Sequence, residues 1–156
     1  MGFRALAGLR RHYAGQAGQL VNDFYLPVLS QAVRYDRQAG YFDSASLVQL
    51  AAGLAAFIRR AQDAPSPQPP IRVITGATWS PEDRTAYQRG LEALQESLNR
   101  TLVRHFEPSD EECIRLGLPP GWRPQEDDIA RHRLGALAWL VAAGLLEVRG
   151  YAEAVR

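Results

Sequence analysis

The chain contains no lysine, and all 18 of its basic residues are arginine. Arginine clamps phosphate well but does not release a proton, so these cations offer charge stabilisation and no proton transfer. A GC-rich genome is enough to account for the bias. Cysteine is almost as scarce: Cys113 stands alone, which excludes an internal disulfide framework and fits a reducing compartment. An excess of either charge is also missing. A formal net charge of +1 gives no overall basic field to advertise nucleic-acid binding. The longest apolar run, Leu134 to Leu146, falls short of the roughly 20 residues a membrane-crossing helix requires. At the amino terminus, Met1 to Leu6 is followed by Arg10, Arg11 and His12, so the apolar stretch of a secretory signal is absent. Together these absences lead to the expectation of a cytoplasmic protein with no membrane association.

What remains is an ordinary globular mixture, with 46% apolar and 22% charged residues over 156 positions. A chain of this length suits one domain that buries roughly 68 to 70% of its unfolded surface. Residues 1–19 lack a firm period and read as a lead-in, leaving 20–156 as the domain. From Leu20 to Ala32 the pattern predicts a short helix with Pro27 in its first turn. The stretch Val33 to Phe42 is rich in aromatic residues, carries Gly40, and reads as a strand that bends. Asp43 or Ser44 then caps a helix whose apolar positions Leu47, Leu50, Leu54, Phe57 and Ile58 recur at helical spacing up to Arg59-Arg60. This strand-to-helix unit opens a βαβ crossover.

Pro65, Pro67, Pro69 and Pro70 make the following connection a stiff loop. Ile71 to Thr75 is a short β-branched strand, read as buried and parallel to the first. Ser80, Pro81, Glu82 and Asp83 form the best-signalled helix start in the chain: a cap, a proline at the first position, and acid at the positive end of the dipole. That helix is expected to run through Tyr87, Leu91, Leu94, Leu98 and Leu102 towards Phe106. Residues Glu107 to Asp128 are loop-rich, with one helical turn near Glu111 to Arg115 and Trp122 packing the loop onto the body. A helix from Glu126 to a left-handed cap at Gly144 leads into a third strand, Leu145 to Arg149.

Phe24-Tyr25-Leu26-Pro27, Val33-Arg34-Tyr35-Asp36-Arg37, Gly40-Tyr41-Phe42 and Ile71-Arg72-Val73-Ile74-Thr75-Gly76-Ala77, in this order and spacing, resemble the amino-terminal half of the phospholipase D-like domain that precedes superfamily 2 helicase motors in bacteria and archaea. The likeness runs from about Leu20 to Val148. It implies an α/β fold: a small, largely parallel sheet with helices on both faces, half of a phospholipase D-like domain, tied to DNA handling and defence. Enzymes of that group resemble one another in a His-x-Lys motif, supplied once by each half, in which one histidine attacks phosphorus, the other protonates the leaving oxygen, and the lysines hold the phosphate oxygens. In the relatives the motif follows a strand equivalent to Leu145 to Arg149, where this sequence stops. Without lysine it has no copy.

No catalytic residue is therefore assigned. His12, His105 and His132 lack the spacing and read as surface or helix-end histidines. Asp110-Glu111-Glu112-Cys113 reads as a solvated acidic turn, and neither metal nor cofactor is expected. Two candidate binding sets remain. Arg34, Arg37, Tyr41 and Trp79 combine guanidinium groups for phosphates with rings for unpaired bases, against a plainer reading of strand packing and an Asp36 to Arg37 surface pair. Gly76, Ala77, Trp79 and Ser80 lie between a strand and a helix, where open α/β sheets bind anions, against the reading of a plain loop. The expectation is a non-catalytic accessory or remnant module of a DNA-processing helicase or defence system. Its partner is a helicase or a second phospholipase D-like half, with DNA and self-association through an exposed edge near Val148 as further contacts. The alternatives are half of a phosphodiesterase or nuclease whose His-x-Lys motif is supplied in trans, and a freestanding anion-binding α/β domain.

Overall fold

The structure is a computed structural model and describes residues 6, 8–10, 12–15, 17–63, 67–76, 79–100 and 107–150, with the backbone alone at 17 and 97–100. The short β-branched and aromatic runs form β1 (Tyr35–Ala39), β2 (Ile71–Thr75) and β3 (Leu146–Gly150), all parallel and ordered β1-β2-β3. Before β1 come α1 (Ala17–Leu20), a π-helical turn (Val21–Tyr25) and α2 (Leu26–Gln31). Between β1 and β2 lie α3 (Ala45–Gln49) and α4 (Ala51–Asp63). The second crossover contains α5 (Pro81–Arg100), α6 (Asp110–Arg115), α7 (Glu126–Arg131) and α8 (Arg133–Ala142). The protein is thus a mixed α/β fold built on a small parallel sheet.

The helices expected on both faces of that sheet cover one. Along β2 and β3 the burial alternates: Ile71, Val73, Thr75, Leu146 and Val148 are buried, while Ile74 and Arg149 are exposed and Arg72 and Glu147 half-exposed; on the edge strand β1, Asp36, Arg37 and Gln38 are all exposed. The cause is topological. Two crossovers that step the same way across a sheet, each obeying the right-handed rule, return on the same side. No strand among those described reverses the order, so no described helix is sent to the other face.

The core lies behind the covered face. α8 is buried along nearly its whole length, from Gly135 to Ala142, and packs against α5, α3, α7 and β3. Gly90 of α5 permits the closest approach, since a Cβ there would fall 2.6 Å from Val141 Cβ. Leu54, Phe57 and Ile58 of α4 belong to the same buried core as Leu137, Leu140 and Val141, with α4 packing on α2 and α7. Trp122 is buried and stacks at 5.3 Å on Trp139, tying the long loop to α8 as expected.

Several local expectations shift. Pro27 falls in the first turn of α2 as expected, but α2 continues the helical run from the π turn without a break, with Leu26 N–H donating to Val21 O. Proline removes one i→i−4 bond, and the wider turn lets the chain continue past it. The helix after β1 is interrupted at Leu50, and the helix expected from Glu126 to Gly144 is interrupted at His132 (φ −120°, ψ 45°), giving two elements each. Gly144 does adopt the left-handed conformation, φ +68°. The expected strand Val33 to Phe42 shrinks to β1; beyond it Phe42 makes a single parallel bridge to Trp79. Leu102, His105 and Phe106 lie outside the described residues.

Candidate functional site

The carboxyl ends of β1 and β2 gather Tyr41, Gly76, Trp79 and Ser80, whereas Ala77 lies outside the described residues. Gly76 N–H donates to Ala39 O at 3.3 Å, and a Cβ at Gly76 would collide with the Gly40 carbonyl, so glycine here is a matter of chain packing. Trp79 lies between Phe42 (5.1 Å, 36°) and Tyr87 (5.1 Å, 70°), with its ring used in the fold. Tyr41 projects outward, 67% exposed. Ser80 Oγ accepts from Asp83 N–H at 3.0 Å, the cap the sequence announces. With Glu82 and Asp83 in the same turn, the positive end of α5 is already met by the chain's own acids. The order β1-β2-β3 also lacks the reversal that opens a ligand crevice in doubly wound sheets.

Asp83 is the unexpected member of this region. Its side chain is 1% exposed; Oδ2 accepts from Ser44 N–H at 3.2 Å, and Oδ1 stands 4.0 Å from Arg133 Nη1. Arg133 in turn donates to Ser44 Oγ at 2.6 Å, while Asp43 Oδ1 rather than Ser44 accepts from Ala45 N–H at the start of α3. This link, buried at Asp83 and Ser44 and half-exposed at Arg133, joins the first turns of α3, α5 and α8. It is a structural clamp.

Arg34 and Arg37 are placed elsewhere. Arg34 stands at the amino end of β1, opposite the Gly76 end of the sheet, and donates Nε to Asp36 Oδ2 at 2.8 Å. Arg37 shares the sheet side of Tyr35, and burial pushes the Tyr35 phenol above its ordinary value while the Arg37 guanidinium pulls it the other way. Asp36 does not form the expected pair with Arg37. Arg72 takes it in a fork, Nε to Oδ1 at 2.8 Å and Nη2 to Oδ2 at 3.1 Å.

These last residues belong to the uncovered face of the sheet. The register sets Asp36, Arg72 and Glu147 in one cross-strand row and Gln38, Ile74 and Arg149 in the next. Arg149 closes on Glu147 through Nε and Nη2, at 2.8 and 2.7 Å, and Ile74 lies at the centre, 36% exposed. A groove of about 360 Å³ lies over them, and every lining residue comes from a strand. It has a floor without walls, unlike a pocket that encloses most of a small ligand. Arg72, Glu147 and Arg149 were not among the residues singled out from sequence. The signal was present as alternation, Ile-Arg-Val-Ile-Thr and Leu-Glu-Val-Arg-Gly, which marks a strand wet on one side.

The free edge of β3 is occupied at the residue expected to be open. The Tyr87 hydroxyl donates to Val148 O at 3.1 Å and accepts from Val148 N–H at 3.2 Å. Among the described residues no cluster of three His, Cys, Asp or Glu side chains forms a metal site, and no helix is long and apolar enough to cross a membrane. No protein-family model, no curated protein and no solved structure matches the chain.

Proposed function

We propose that the chain is a non-catalytic, cytoplasmic accessory module of the phospholipase D-like kind, which serves a DNA-processing helicase or defence system by docking on a partner protein through the bare face of its sheet. The observation that carries this reading is the one-sided parallel sheet. Purely parallel sheets occur almost only with both faces covered, and here an Ile at the centre and a row of forked ion pairs lie open. Surface pairs of this kind add little stability to an isolated domain, about 0 to 1 kcal/mol each, so their ordered arrangement fits recognition better than folding. The lack of any His-x-Lys copy in the sequence supports a role without phosphodiester hydrolysis.

The test is co-expression of the tagged chain, or its Ile74→Glu variant, with each superfamily 2 helicase and each phospholipase D-like protein of the same genome. One of these proteins is expected to co-purify with the wild-type chain and to be lost with the variant. Equal recovery with Ile74→Glu, or recovery of none, would contradict the reading. The isolated chain is expected to give no turnover of a chromogenic phosphodiester above a blank, and robust turnover abolished by changing His132 would overturn the non-catalytic role.

A further inference from the structure

We infer that the occupant of the bare sheet face is a single acidic amphipathic helix of another polypeptide, seated with an apolar residue over Ile74 and its carboxylates along the β1 side. The inference rests on the docking reading above and adds the chemistry of the partner. Size comes first. Three strands of five residues offer a face of about 14 by 17 Å, roughly 240 Å². A stable interface between globular proteins takes about 800 Å² from each side, whereas three turns of helix are about 16 Å long and 10 to 12 Å across. The face has the footprint of one segment.

Charge then selects the segment. On and beside the face stand three guanidinium groups, Arg34, Arg72 and Arg149, against two carboxylates, Asp36 and Glu147. Glu147 is matched by Arg149, but Asp36 is shared between Arg34 and Arg72, so the positive excess gathers along β1. Carboxylates arriving there complete the pairing, and charge complementarity of this kind steers encounter and fixes register. A second copy would bring the same excess against itself over too small an area. Single-stranded nucleic acid binds through stacking platforms, and the six residues of the two cross-strand rows include no ring.

The experiment replaces Ile74 by the photo-crosslinking residue benzoylphenylalanine in the full chain expressed in its own cells, with Ile114, exposed on α6 away from the sheet, replaced likewise as a control. Cross-linked peptides are identified by mass spectrometry. The expected product joins position 74 to a helical segment of another polypeptide in which Asp and Glu outnumber Arg and Lys, and Arg34→Glu lowers its yield several-fold. A product with a basic or extended segment of another polypeptide overturns this inference and leaves docking on a partner protein standing, whereas a product with a second copy or with nucleic acid overturns both. No product at position 74 above that at 114 overturns the docking reading and this inference together.

Discussion

At the scale of single residues, Asp83 shows how a helix-start signal conceals a second role. Sequence places it in the first turn of α5, where acid is welcome, and it is there. What the sequence does not display is that chain folding brings Ser44 and Arg133 to the same carboxylate across long separations. Asp83→Ala leaves Ser44 N–H without its acceptor and removes the carboxylate facing Arg133, and is expected to cost about 2 kcal/mol, read as a lower urea midpoint at unchanged slope. A midpoint equal to that of the wild type would show that the clamp contributes nothing. Cys113, read from the sequence as part of a solvated acidic turn, is a different case. It is fully buried, and burial raises its thiol above the ordinary range. The thiolate is the reactive form, so a disulfide reagent at pH 8 is expected to label Cys113 only after denaturant is added; rapid labelling of the native protein would contradict its placement.

Among the elements, those announced by local chemistry are found where expected. Ser80 and Pro81 begin α5, Gly144 ends the helical run after α8, and the alternating runs at 71–75 and 146–150 become strands. The signals that failed were those in which a tertiary contact overrides propensity. Pro27 does lie in the first turn of α2, but the π turn that runs into that helix without a break has no sequence mark. The break at His132 falls in the polar step Arg131-His132-Arg133 between Ile129 and Leu134, a gap in the apolar spacing that the reading of one long helix passed over. Tyr87, read as one member of an apolar stripe, instead spends its hydroxyl on both backbone groups of Val148. Edge strands invite pairing with other chains, and proteins block them with such devices. Tyr87→Phe is therefore expected to lose about 1 kcal/mol and to raise the weight-average mass in light scattering at high protein concentration. A variant that stays at the wild-type mass would show that Tyr87 does not guard the edge.

For the molecule as a whole, the sequence led to the class of fold but not to its sidedness. Three strands were readable, the second as parallel to the first, and parallel strands ordinarily imply cover on both faces. The outward series Asp36, Gln38, Arg72, Ile74, Glu147 and Arg149 carried the contrary message, one residue in two along each strand. Candidate binding residues chosen by type, such as Trp79 and Ser80, proved to be used by the fold itself, while the arginines that do share a surface become visible only once the register aligns them. The account stands on that surface being open in the isolated chain and covered in the cell. The direct measurement is maleimide labelling of Ile74→Cys and, as a reference, Ile114→Cys, which lies on α6 and is 62% exposed. In purified protein both are expected to react readily; in living cells only Ile114→Cys is expected to do so. Equal labelling of the two in cells would show that nothing rests on the sheet, and the proposed role would be wrong.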